Sequence, residues 1–500
     1  MTAATSEPPS VAERTVRLSA ELRPAESLVV LTAHDEPVAE FRYDEERAEA
    51  FRTWPRWLRN KLLPTSQRAQ RESDYQAGIK DMAGQLASPA GAAELARLVA
   101  AVDMDPSATA FLRVEVRQAE LDVIPWELLA QPVGSRAGGR RVCVYRAVRG
   151  RKQREVTAPD PPQRVLLADS SPTSEQSVNF ARERESIWHE LMAMRLAGLV
   201  DADRPCPDAD PGMLTAALAG PVRAVHLAAH GTTGQVHLRQ GAKAILYPGE
   251  TFAEFFEREP VPAAVILSVC DSVPARPREF GDPEEPGIAR AVAEAGIAEV
   301  IGMYSVITPE VAKEFFTILY RALGRCDDMV TAYAAAVTAL QADTFPNCGF
   351  WSVPVLYSHD NVIPFPGRYG DPNGAYQRIA DQVRRLHTEV TRLQPEEGWS
   401  QTTWRMETMR LRVGASDRRH QLHQLIELVQ REVSAGSKWA ADVSRAARTG
   451  VSALDRVVAR ATNPPPGTGA VTMFAESKTQ LTSALEELDE AISARLRFSR

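Results

Sequence analysis

Three stretches decide the reading of this chain: RAVHLAAHGTTGQVHL (223–238), AAVILSVCDS (263–272) and AVAEAGIAEVIGMYSV (291–306). Each contains a short aliphatic and β-branched run. The first run ends in His230-Gly231, the second in Ser268-Val269-Cys270-Asp271, and the third near Tyr304. Runs of this kind, with helical sequence between them, predict parallel strands buried on both faces. Ligands of open α/β sheets bind beyond the carboxyl ends of the strands. His230 and Cys270 are therefore expected at the mouth of one sheet, facing each other as base and nucleophile.

The residue types suit that chemistry. A cysteine attacks as thiolate, and a free thiol with a pKa near 8.5 is mostly protonated at neutral pH. An adjacent imidazole accepts the proton and later returns it to a leaving amine. The oxyanion that develops needs backbone N–H donors. Gly231, which has no side chain, and Cys270 are the expected donors. Either residue alone is weak evidence, because a cysteine at a strand end is more often a small buried hydrophobe. His226 shares a strand face with His230 and is read as packing. His237 is expected at the surface without a partner.

Working outward, 16–34 reads as a two-stranded hairpin, 43–62 as a helix carrying Trp54 and Trp57, and 72–102 as one helix. Residues 111–116 and 142–148 read as strands. Between them LDVIPWELLA (121–130) reads as a short helix with Trp126 as a buried anchor. A basic, Pro-rich stretch at 149–163 marks a boundary. Residues 165–169 then start a strand and 179–199 a helix. Thr308-Pro309-Glu310 is a helix start, and 353–357 closes the α/β region.

After a Pro/Gly linker at 359–373 the chain reads as helix only. Tyr376, Ile379, Val383, Leu386, Val390 and Leu393 make a heptad seam. Later seams include Leu422, Val443, Val451, Leu454 and Leu481 to Leu496. Four such helices fit an antiparallel bundle, which either packs on itself or grips a partner helix. The division expected is a disordered lead-in (1–15), an N-terminal α/β subdomain (16–150), a catalytic subdomain (151–358), the linker (359–373) and the bundle (374–500).

Composition narrows the class. A net charge of −7 gives no general attraction to nucleic acid or to an anionic membrane. No apolar run is long enough to span a bilayer, and the start has no secretory pattern. Five irregularly spaced cysteines argue for a reducing cytoplasm. With no CxxC, no HExxH and no phosphate-binding glycine loop, neither a metal nor another cofactor is expected.

The order strand-His-Gly, strand-Ser-x-Cys-Asp, helix, strand resembles the CHAT family of caspase-like (clan CD) proteins. The likeness runs through VHLAAHG, AVILSVCDS, EVIGMYSVITPEVAKEFFTILYRAL and FWSVPVLY, with IPWELL (124–129) as its N-terminal landmark. It implies a caspase-like three-layer α/β sandwich with a mostly parallel sheet, here followed by the all-α bundle. It also implies a Cys-His dyad that cuts a protein substrate, with His230 as general base and Cys270 as nucleophile. Val269, Tyr304 and Thr308 depart from the family's common residues. Ser268 stands where metacaspases carry an acid. Ser268, Asp271, Tyr304 and Thr308 are the residues expected around the substrate pocket. Asp271 either orients the site, lines the pocket or caps a turn. By analogy the setting is a bacterial conflict or cell-death pathway, with an activating partner acting through the C-terminal helices. A catalytically silent scaffold and another thiol hydrolase or acyltransferase remain alternatives.

Overall fold

The computed structural model describes residues 10–62, 68–102, 108–148, 154, 163–172, 180–196, 199–202, 205–257, 261–274, 285–325, 327–343, 347–359, 362 and 364–365, and in the C-terminal part 383–384, 386–388, 390–392, 419, 422, 426, 438–462 and 469–498. Two compact units are present: 1–190 with 201–366, and 191–200 with 367–500.

The first unit is built on one sheet. Its strands are β1 (Thr15–Arg23), β2 (Leu28–Ala33), β3 (Glu36–Arg42), β4 (Ala110–Val116), β5 (Val142–Ala147), β6 (Gln163–Ser170), β7 (Val200–Ala202), β8 (Ala224–Thr232), β9 (Gln235–Gln240), β10 (Lys243–Pro248), β11 (Ala264–Val269), β12 (Glu299–Met303) and β13 (Pro354–Ser358). The helices are α1 (Glu45–Leu62), α2 (Arg68–Leu86), α3 (Pro89–Ala101), α4 (Ala130–Arg136), α5 (Ala181–Leu196), α6 (Pro211–Ala217), α7 (Gly249–Ala253), α8 (Ile288–Glu294), α9 (Pro309–Leu323) and α10 (Met329–Ala342).

The main path of the sheet runs β10-β9-β8-β11-β12-β13-β5-β4-β1-β2-β3, with β6 pairing to β8. The β6–β8, β8–β11, β11–β12, β13–β5, β5–β4 and β4–β1 ladders are parallel. The β12–β13 ladder and the ladders of the two outer meanders are antiparallel. The two α/β subdomains of the sequence reading therefore share one continuous sheet. β8, β11 and β12 are buried along nearly their whole length, as central parallel strands require.

Register separates the two faces. Ile266 pairs with His226 on one side and with Ile301 on the other. His226 packs edge-on against Phe316 of α9, with centroids 4.6 Å apart. Gly302 points to the opposite face, where an added Cβ would lie 2.7 Å from Ala289 Cβ of α8. Helices thus cover both faces, giving the three layers.

Several expectations need correction. The helix read over 72–102 is two, because Ser88 caps α3 through the Gly91 amide and Pro89 starts it. LDVIPWELLA forms two 3-10 turns before α4, with Trp126 fully buried and its Nε1–H donated to the Leu121 carbonyl. The first strand does not stop at His230. It continues to Thr232 and turns at Gly234, φ 71°, into β9.

In the second unit, α11 (Lys438–Thr462) and α12 (Gly469–Phe498) pair. Trp439 near the start of α11 donates to Ala491 near the end of α12 at 2.6 Å, while Arg460 bonds Met473 and Ser477 at the other end. The pair is therefore antiparallel. Its apolar core includes Val443, Val451, Leu454, Val457, Leu481, Leu485, Leu488 and Ile492, joined by Val383, Leu386, Val390 and Leu422. Tyr376, Ile379 and Leu393 of the first seam lie outside the described residues.

Candidate active site

β8 and β11 are in parallel register through Ala229↔Val269. His230 is the next residue of β8, and Cys270 is the first residue of the turn that follows β11. Side chains alternate along a strand, so His230 shares the face of His226. Phe180, just ahead of α5, packs edge-on against the His230 ring at 5.7 Å between centroids.

Gly231 closes the gap between the strands. A Cβ at this position would lie 2.4 Å from the Cys270 carbonyl oxygen and 2.5 Å from Val269 Cγ1. Only a residue without a side chain admits that approach. In the two-residue hairpin Thr232 pairs with Gln235 and Gly231 with Val236. Antiparallel ladders alternate, so Gly231 occupies a non-hydrogen-bonded position and its N–H points away from β9.

Cys270 follows β11 directly and is partly exposed. Burial pushes its thiol up to about 11; an Ile307 backbone N–H opposes the shift, Asp271 and Glu183 add to it, and Arg59 opposes it. Asp271 adopts a left-handed conformation, φ 54°. Burial pushes its carboxyl up to about 6, against the opposing charge of Arg59.

The other expected pocket residues fall differently. Ser268 is buried, and its Oγ donates to Glu183 Oε2 at 3.1 Å. The other oxygen of Glu183 lies 3.2 Å from His226 Nε2. His226 is fully buried, with Tyr320 Oη 3.4 Å from its Nδ1, which matches its packing role. Tyr304 faces the core rather than the opening. It is fully buried, its hydroxyl donates to the Val123 carbonyl, and the Arg146 guanidinium lies 5.8 Å from its ring. Thr308 is the cap of α9, accepting from Val311 N at 3.4 Å. His237 has a partner, Thr232 Oγ1 at 3.2 Å. Its expectation as an unpartnered surface residue is corrected.

Sequence reasoning missed Glu183, Phe180, Ile307 and Arg59. A glutamate in the first turn of a helix reads as an ordinary dipole partner, and an exposed arginine as solvated charge. Among the described residues no group of three or more His, Cys, Asp or Glu side chains could hold a metal ion. The described cysteines Cys143, Cys206 and Cys270 are free. No helix among the described residues is long and apolar enough to cross a membrane.

A mixed, mostly parallel sheet lies between two helical layers, and His230 and Cys270 follow the last paired residues of its adjacent strands β8 and β11. The CHAT domain family model matches residues 82–359. The chain belongs to the CHAT domain family. A solved structure titled "Crystal structure of the Arg specific cysteine proteinase gingipain R (RGPB)" is similar at a TM-score of 0.39 and 13% identity, covering 57% of this chain and 75% of that one. No curated protein matches the chain.

Proposed function

We propose that this chain is a cytoplasmic cysteine endopeptidase that cleaves a protein substrate through Cys270 and His230. The observation that supports this reading is the parallel register of β8 and β11, whose last pair, Ala229↔Val269, immediately precedes His230 and Cys270. His230 takes the thiol proton as Sγ attacks the scissile carbonyl carbon. The N–H groups of Gly231 and Cys270 hold the oxyanion. Collapse breaks the C–N bond, and His230 protonates the leaving amine. Water, deprotonated by the same imidazole, then attacks the thioester and releases the acid.

Burial pushes the Cys270 thiol up to about 11. That supports a latent enzyme whose ionisation awaits substrate or an activating partner. The paired C-terminal helices are the surface we assign to that partner, and a conflict or cell-death pathway is the setting the family suggests. The same raised thiol favours the second reading, a non-catalytic scaffold that only binds. Labelling by a peptidyl electrophile separates the two. The endopeptidase reading expects modification at Cys270, suppressed in His230→Ala, and loss of protein cleavage in Cys270→Ala. Undiminished cleavage by Cys270→Ala would sink it.

A further inference from the structure

The chain leaves β11 at Val269 and turns through Cys270 and Asp271, the latter left-handed at φ 54°. The turn then fastens onto β12 and α8. The β11–β12 ladder runs as far as Ile266↔Ile301. Two residues further along β12, both backbone groups of Met303 bond to the turn. The Ser272 hydroxyl accepts the Met303 N–H at 2.8 Å and donates to the Met303 carbonyl at 3.5 Å. The Val273 N–H donates to the same carbonyl at 3.2 Å. The Ser272 carbonyl accepts from the Ala289 N–H at 3.0 Å. That amide belongs to the first turn of α8, whose N–H groups have no partner within the helix. Ser272 is fully buried. Gly302 leaves room for its hydroxyl, since an added Cβ there would lie 2.9 Å from the oxygen.

We propose that Ser272 is a positioning residue for the nucleophile: its hydroxyl fastens the turn that carries Cys270 to the end of β12. The inference rests on the reading of Cys270 as nucleophile. On one side the Cys270 carbonyl is packed against Gly231 of β8. On the other, two residues along the chain, Ser272 is bonded to β12 and α8. Cys270 is thus held between the histidine strand and a turn that is itself tied down. A serine suits the position because its hydroxyl donates and accepts at once, matching the N–H and C=O of one residue. Alanine leaves the buried Met303 N–H without this acceptor and the turn without its side-chain anchor. Ser272 acts through the backbone of its own turn, not on substrate.

The test is hydrogen exchange on the full chain, read residue by residue by mass spectrometry. In Ser272→Ala the Val273 and Ala289 amides are expected to exchange about five- to tenfold faster, the weight of one neutral hydrogen bond in a local opening. Val114→Ala is the control. This buried β4 residue lies three strands beyond β12. Its variant lowers the urea midpoint and leaves both amides protected as in wild type. Parental protection in Ser272→Ala, or the same loss in Val114→Ala, overturns the proposal. A second measurement is modification of Cys270 by a peptidyl electrophile. Ser272→Ala is expected to lower the maximal rate about tenfold and to leave the half-saturating concentration unchanged, because a displaced thiol slows bond formation rather than binding. An unchanged maximal rate overturns the positioning role. The two readings fail separately. A wild type that the electrophile leaves unmodified defeats the endopeptidase, and exchange alone then decides the role of Ser272. Modification of the wild type with parental exchange in Ser272→Ala does the reverse.

Discussion

Gly231 lies so close to Cys270 that a single added carbon would stand 2.4 Å from the Cys270 carbonyl oxygen. The contact is with backbone, which cannot swing aside as a flexible side chain would. It brings the end of the histidine strand against the end of the cysteine strand.

Gly231→Ala is therefore expected to wedge β8 and β11 apart at their ends. Overpacking of this kind costs about 1–3 kcal/mol, measurable as a lower urea midpoint. Labelling of Cys270 by a peptidyl electrophile should fall far more than stability does, because the expected N–H donor and the dyad spacing move together. A variant with wild-type labelling kinetics would remove Gly231 from the site.

Glu183 fastens the start of α5 to β8 and β11, through His226 and Ser268. Glu183→Ala leaves two buried polar side chains without their acceptor. The expected loss is about 2–4 kcal/mol in denaturant unfolding. Glu183→Gln keeps one acceptor oxygen and should lose less. Phe180, three residues ahead, would then pack less firmly on the His230 ring. An alanine variant as stable as the parent would mean the bridge contributes nothing net.

These relationships mark the limit of what the sequence made legible. The strands carrying His230 and Cys270 are legible because central parallel strands read as unbroken aliphatic runs. The β3, β9 and β10 strands are only partly buried, and β3 is reached through a turn at His34 and Asp35 with φ 52° and 65°. Tyr304 is placed near the substrate pocket by the family resemblance. Its hydroxyl instead satisfies a carbonyl 181 residues away in sequence. Glu183 and Ser268 are 85 residues apart, so no local pattern announces their bond. Side-chain pairings across elements depend on register and helix placement, which periodicity alone leaves open.

Asp271 supplies a pH test. Its carboxyl is raised from 3.8 to about 6 because burial penalises the charged form more than Arg59 offsets it. The folded chain therefore binds this proton more tightly than the unfolded chain does. The contribution to stability is fully present below about pH 3.8 and is lost as pH rises through about 6. Asp271→Asn cannot ionise, and asparagine tolerates the left-handed backbone at φ 54°. Relative to the parent, the variant is expected to gain about 1–2 kcal/mol at neutral pH, a figure reduced for partial exposure. The gain should shrink on acidification through this window. Unfolding midpoints of the two chains, followed across it, check the sign. A parallel pair of curves would show that Asp271 does not titrate differently in the folded state.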